Sequence, residues 1–189
     1  MDTRTTQYLF AAAIFFFIGW AILSGVSDHD MFFDRLYGAG EVFLVYLFWR
    51  KYRFSTLQLG LIGAAIFLHQ IKLYGNTYFG VEFDTYMHVV ATFAIACLLA
   101  SVIAQSLKPQ HHHWLLRAFI VFTATVGIAT TVEPIEYLGY ATLGEGDGIL
   151  LYGAGDGGWR DTAEDIAANM AGSLAALVFM FSTEKFKLR

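Results

Sequence analysis

Six apolar stretches, most of them close to the length of a membrane span, dominate this chain. A bilayer hydrocarbon core is about 30 Å thick, and about 20 apolar residues of helix are needed to cross it. The stretches cover Tyr8 to Val26, Leu36 to Trp49, Leu57 to Leu73, Thr85 to Leu107, Trp114 to Val132 and Asp161 to Phe181. The second is short and carries Glu41 inside it. Hydrophobicity that is continuous rather than alternating argues for helices and against barrel strands. Little chain is left between the stretches. The expectation is therefore a single polytopic domain over residues 1–189, an all-α integral membrane bundle of six transmembrane helices. The first stretch is long for a signal-peptide core and no A-x-A site follows it, so it is expected to remain as a span. Only 15% of the residues are charged, against about 25% in an average soluble domain. Cys97 is the sole cysteine, which excludes an intramolecular disulfide and a cysteine-based metal cluster.

The placement of charge orients the bundle. With six spans, both termini share a side with the second and fourth links. That side holds Arg4, Arg50, Lys51, Arg53, Lys108, Arg117, Lys185, Lys187 and Arg189, whereas Arg35, Lys72 and Arg160 fall on the other. The positive-inside rule then predicts N-in/C-in insertion in the inner (cytoplasmic) membrane. The C-terminal Lys185, Lys187 and Arg189 read as an anchor facing anionic lipid. Acidic residues divide the opposite way: all but Asp2 and Glu184 lie in the outer half. Acids contribute little to topology, so insertion does not explain this skew.

Those acids fall at helical spacing. Asp84 and His88 are i, i+4 at the start of the fourth span, and Glu133 and Glu136 are i, i+3 at the end of the fifth. Asp161, Asp165 and Asn169 repeat every four residues at the start of the sixth. Each set lies on one helix face, and all three occupy outer ends. His69, late in the third span, and Glu41 are expected to support them from nearby. An ionised side chain at mid-membrane costs about 2.5–3.5 kcal/mol. So many carboxylates need water, protons, partners or a cation as compensation. Glu, Asp and His at these spacings on facing helices are how metal sites are built in bundle cores. Glu133, Glu136, Asp161, Asp165, Asp84 and His88 are the expected ligands of a divalent metal. Mn, Fe or Zn fits if imidazole takes part, and Mg fits an oxygen-only site.

Plainer roles compete with this one. Asp161 and Asp84 suit the first turn of a helix, where exposed amides favour an acid. His88 and His69 can be satisfied core histidines, and Glu41 can pair with Arg35 or Lys72. Glu133 and Glu136 oppose the dipole at a helix C-terminus, so capping does not account for them. Pro134 is expected to end or kink the fifth helix, to bias Glu133 away from helix and to leave a short turn from Glu136 to Tyr140. The glycine-rich stretch 144–158 reads as a flexible acidic loop, and His111, His112 and His113 as a polar link. No nucleotide or flavin signature and no nucleic-acid module is present.

The ordered motifs resemble the YjdF-type family of small polytopic bacterial and archaeal membrane proteins. They are Leu68-His69, Asp84-x-x-x-His88, Glu133-x-x-Glu136 and Asp161-Thr162-x-x-Asp165-x-x-x-Asn169-x-x-Gly172. The likeness covers about residues 60–180. It implies an inner-membrane helical protein whose polar residues belong together, and it implies no substrate. Here Pro134 replaces a large apolar residue, Tyr86-Met87 precedes His88, and the link before Asp161 is long.

Three functional classes fit the pattern. The first is a metal-dependent membrane enzyme acting on a lipid-like or small amphipathic substrate, with Glu133, Glu136 and Asp165 as catalytic groups. The second is a cation- or proton-coupled transporter. The third is an accessory or structural subunit that binds partner membrane subunits. Polar residues at one side, with no internal repeat, favour a one-sided site over a through-path. Membrane lipids are the expected surroundings, and nucleic acid is not an expected partner.

Overall fold

The computed structural model describes residues 3–27, 29–71, 73, 76–107, 114–143 and 159–182. These form helices α1 (Thr3–Ser27), α2 (His29–Tyr52) and α3 (Thr56–Ile71), then strands β1 (Thr77–Tyr78) and β2 (Val81–Glu82). Helices α4 (Phe83–Ser106), α5 (Trp114–Thr130), α6 (Val132–Leu143) and α7 (Trp159–Ser182) complete the order. The 144–158 loop, the His111–His113 run, Lys72, Lys108 and the C-terminal basic residues lie outside the described residues.

The chain is an all-α membrane bundle. Among the described residues, Thr3–Gly25, Phe83–Ser106, Trp114–Leu138 and Arg160–Ser182 are long and apolar enough to cross a membrane. The second and third expected stretches take other forms. α2 is 24 residues long but carries Asp34, Arg35 and Glu41. α3 is apolar but has only 16 residues, about 24 Å of rise. The surface is inverted relative to a soluble protein. Phe15, Leu23, Phe119 and Val178 face outward, while the largest fully buried side chains are Gln70, Val121, Asn169, Thr92, Thr125 and Ser173. Apolar residues gain nothing by leaving lipid for another helix, so contacts between helices are left to small and polar groups.

Three helices make the core that positions the site. α4 packs on α5 and α7, and α5 packs on α7. Ala96 and Cys97 of α4, Ala118 and Val121 of α5, and Ala176, Leu177 and Met180 of α7 form one apolar cluster. α4 and α7 run parallel, because residues 88 and 92 of α4 meet residues 169 and 172 of α7 in the same order. Gly172 permits this approach. A Cβ there would be driven into the Thr92 hydroxyl and the Val89 carbonyl.

A second group joins α1 to α2 and α3 through Phe17, Ala39, Val42 and Ile66. Gln58 ties α3 to α4, donating to the Cys97 carbonyl at 2.6 Å and to Ser101 Oγ at 2.7 Å. Arg35 donates to Gln70 Oε1 at 2.6 Å, and Gln70 in turn donates to the Asp34 carbonyl at 3.2 Å. The Arg35 guanidinium lies 3.9 Å over the Trp20 ring.

Two local expectations are corrected. The break after α5 falls at Thr131, whose N–H and hydroxyl both donate to the Ile128 carbonyl. Pro134 is the third residue of α6, a position where a missing N–H costs nothing because first-turn amides have no helical acceptor. Glu133 is therefore helical, and the residues after Glu136 continue as helix to Leu143 instead of forming a short turn. A hairpin also precedes α4, pairing Thr77 with Glu82 and Tyr78 with Val81. Its turn residues Phe79 and Gly80 both have positive φ, 53° and 80°. Such two-residue turns match the twist of the strands.

Candidate metal centre

Parallel α4 and α7 bring two helix N-termini to one end of the bundle, next to the α5–α6 break. Asp84 lies in the first turn of α4 and Asp161 in the first turn of α7. Both sit where the helix dipole favours an anion, although the N-cap of α4 is Glu82, which makes no side-chain cap bond. One turn further in, Asp165 is buried, with 3% of its surface exposed. The dipole of the first turn does not reach that far, so Asp165 needs another account.

His88 provides the meeting point. Its Nε2 lies 3.6 Å from Asp84 Oδ2 and 3.4 Å from Asp165 Oδ1. One ligand atom from each of Asp84, His88 and Asp165 falls within 4.8 Å of the others. On the far side of the ring, His88 Nδ1 is 3.1 Å from Asn169 Oδ1. An amide oxygen there makes Nδ1 the donor and turns the Nε2 lone pair towards the two carboxylates. This is the outer-shell arrangement that fixes a metal-binding histidine. A lone pair facing two anions is repulsive unless a proton or a cation lies between them. Among the described residues, the ion pairs of Asp84 and Asp165 are with His88. Arg160 pairs with the exposed Glu164 at 2.8 Å.

The other expected site residues surround this trio at longer range. Glu133, 7% exposed, hydrogen-bonds Thr162 and lies within electrostatic reach of Asp161 and Asp84. Its Oε1 and Asp165 Oδ2 are buried without a hydrogen-bond partner among the described residues. Asp161 lies within reach of Asp84 and His88, and Glu136 within reach of Asp165. Glu133, Glu136 and Asp161 are not part of the three-ligand group. His69 feels the charges of both Arg35 and His88. Tyr37 of α2 feels the charges of both Glu41, one turn along the same helix, and Glu136, so Glu41 lies towards the same end of the bundle. A cavity of about 270 Å³ lined by Gln58, Cys97, Ser101 and Phe179 is separate from the cluster, at the opposite end.

The sequence pattern singles out Thr162 within the Asp161-Thr162-x-x-Asp165 motif, but not Tyr37, Gln70, Thr92, Thr125 or Ser173. The Ser173 position was legible, because it extends the Asp161, Asp165, Asn169 spacing by one more step of four. The Arg35–Gln70 pair, 35 residues apart, leaves no local signal.

No curated protein and no solved structure matches the chain. A family model described as "Predicted membrane protein (DUF2238)" matches residues 6–185, nearly the whole length and the same helices that carry the acidic and histidine motifs. The YjdF-type proteins that those motifs resemble are this family, and the chain belongs to it.

Proposed function

We propose that Asp84, His88 and Asp165 bind a divalent cation and that the chain is a metal-dependent membrane enzyme acting on a lipid-like or small amphipathic substrate. The spacing around His88 Nε2 carries the reading. Separations of 3.4 and 3.6 Å exceed the roughly 2.7–3.2 Å of an N–H···O bond. They also exceed the roughly 2.7–2.9 Å of a charge-assisted one. A protonated His88 bridging the carboxylates fits poorly. Two ligands each about 2.1 Å from one tetrahedral cation stand about 3.4 Å apart, which fits well. One imidazole with two carboxylates suits Mn, Fe or Zn better than Mg.

A cation at this point has three protein ligands and an open position for water or a substrate oxygen, as catalytic sites do. Glu133, with one oxygen held by Thr162 and the other unpartnered among the described residues, is the base of this reading, and Glu136 adds negative charge beside it. Membrane lipid is the substrate pool at hand.

Metal analysis of detergent-purified protein after loading with Mn or Zn, wild type against Asp165→Asn, tests the site. About one equivalent in the wild type and loss in the variant is expected. Absence of stoichiometric metal in the wild type would remove the proposal. Turnover of a defined lipid mixture, followed by mass spectrometry and abolished by Asp165→Asn, tests the enzymatic part.

A further inference from the structure

The acidic cluster does not end at His88. On α7 the step of four continues from Asp165 through Asn169 to Ser173, about 12 Å deeper along the axis. Asn169 and Ser173 have no exposed surface. Asn169 Nδ2 and Ser173 Oγ make no hydrogen bond among the described residues.

On α5, which packs against α7, Thr125 is equally buried, and its Oγ1 also lacks a partner among the described residues. The level follows from the packing. Val121 and Ala176 belong to one cluster, and α5 runs antiparallel to α7. Thr125, one turn above Val121, therefore stands at the level of Ser173, one turn above Ala176. Thr92 of α4, buried beside Gly172, completes that layer. Directly below it lies an apolar layer of Ala96, Cys97, Val121, Ala176 and Leu177, and the next buried polar side chain on α5, Arg117, stands one turn beyond that layer.

Three buried polar groups without partners, stacked along one seam inside a lipid-facing bundle, demand an explanation. Each unpaired group in a dry interior is costly. Ordered water is the usual partner of such groups, making about three hydrogen bonds per molecule. We infer that Asn169, Ser173 and Thr125 line a blind, water-holding shaft that opens at Asp165 and is closed by the Val121–Ala176 layer. Water reaches the middle of the bundle from the acidic end and goes no further. Such a shaft holds solvent and protons behind Asp165 and conducts nothing across the bundle. It requires no bound metal.

Cysteine reactivity tests it in a Cys97→Ala background. Purified Ser173→Cys and Val121→Cys proteins are exposed to a small methanethiosulfonate reagent, which attacks hydrated thiolates. Ser173→Cys is expected to react roughly 100-fold faster than Val121→Cys, one layer further in. Equal, slow reaction at both positions would overturn the inference. Adding Asn169→Leu, which fills the seam, is expected to return Ser173→Cys to the slow rate. Persistence of the fast reaction would place the opening elsewhere and overturn the stated mouth. A second measurement avoids cysteine altogether. Thr125→Val removes a hydroxyl at nearly constant volume. It lowers the melting temperature if that hydroxyl binds shaft water, and raises it if the hydroxyl is dry and unpartnered. A rise would count against the shaft. None of these readouts depends on metal, so failure of the cation site and failure of the shaft are separable.

Discussion

Among individual residues, Asn169 has the most consequential position for its size. It has no exposed surface, its carbonyl oxygen orients His88, and its amide nitrogen points away from that bond. Asn169→Ala is expected to weaken metal binding about 10–100-fold, the usual cost of losing an outer-shell partner, while leaving all three ligands in place. Calorimetric titration of Mn or Zn into wild type and variant measures this, and equal affinities would contradict the orienting role. A second expectation concerns coupling. Asp165 lies within electrostatic reach of Glu136. Glu136→Gln and Asp165→Asn should therefore be non-additive by at least about 0.5 kcal/mol in a double-mutant cycle on stability. Additive effects would describe isolated acids. At this scale the sequence was informative wherever side chains repeat at i, i+4. Asp84 with His88 and Asp161 with Asp165 could be placed on common faces before any coordinates. Thr125 and Thr92 could not, because threonine in an apolar helix is common and its hydroxyl can bond the preceding turn. Thr92 does so to the His88 carbonyl at 2.5 Å.

At the scale of elements, the α4–α7 pair sets the geometry of the site. At Gly172 the two helices are too close to admit a Cβ. Gly172→Ala is expected to force the helices apart and to destabilise the protein by about 1–3 kcal/mol, the range for overpacking a tight contact. The penalty should persist in a Thr92→Ala background, because the Val89 carbonyl also blocks the added methyl. Thermal melts in detergent measure both. Full rescue by Thr92→Ala would show that the hydroxyl alone sets the spacing. Hydropathy makes α3, α4, α5 and α7 legible to within about two residues, whereas α1 starts earlier than expected, α2 extends well beyond its stretch, and α6 is not among the expected helices. Around Pro134 the sequence misleads, because proline disfavours helix at the residue before it. In the first turn of α6 it starts the helix instead. The hairpin before α4 escaped notice because two-residue strands have no period to detect. Phe79 at its turn is fully exposed in a backbone region that glycine or asparagine usually occupies.

For the whole molecule, the open quantity is orientation. Nine basic residues against three predict that the acidic end faces outward. Phe79→Cys at the hairpin tip and Ser182→Cys at the end of α7 report opposite ends, each in a Cys97→Ala background. An impermeant thiol reagent applied to intact cells is expected to label position 79, and position 182 only after lysis. The reverse pattern would turn the site towards the cytoplasm.

The partners that make the site are far apart in the chain. His88 and Asn169 are separated by 81 residues, and α7 follows α4 and α5 in the order of synthesis. Membrane helices insert first and associate afterwards. While α4 and α5 already occupy the bilayer, Asp84 and His88 wait without Asp165, and the pair they will form with α7 is parallel, so no short hairpin can bring it together. The grouping of Asp84, His88 and Asp165 is therefore a product of helix association after insertion. A chain that stops before α7 contains most of the apolar helices but lacks Asp165, and the docking of α7 is the step that completes the cluster.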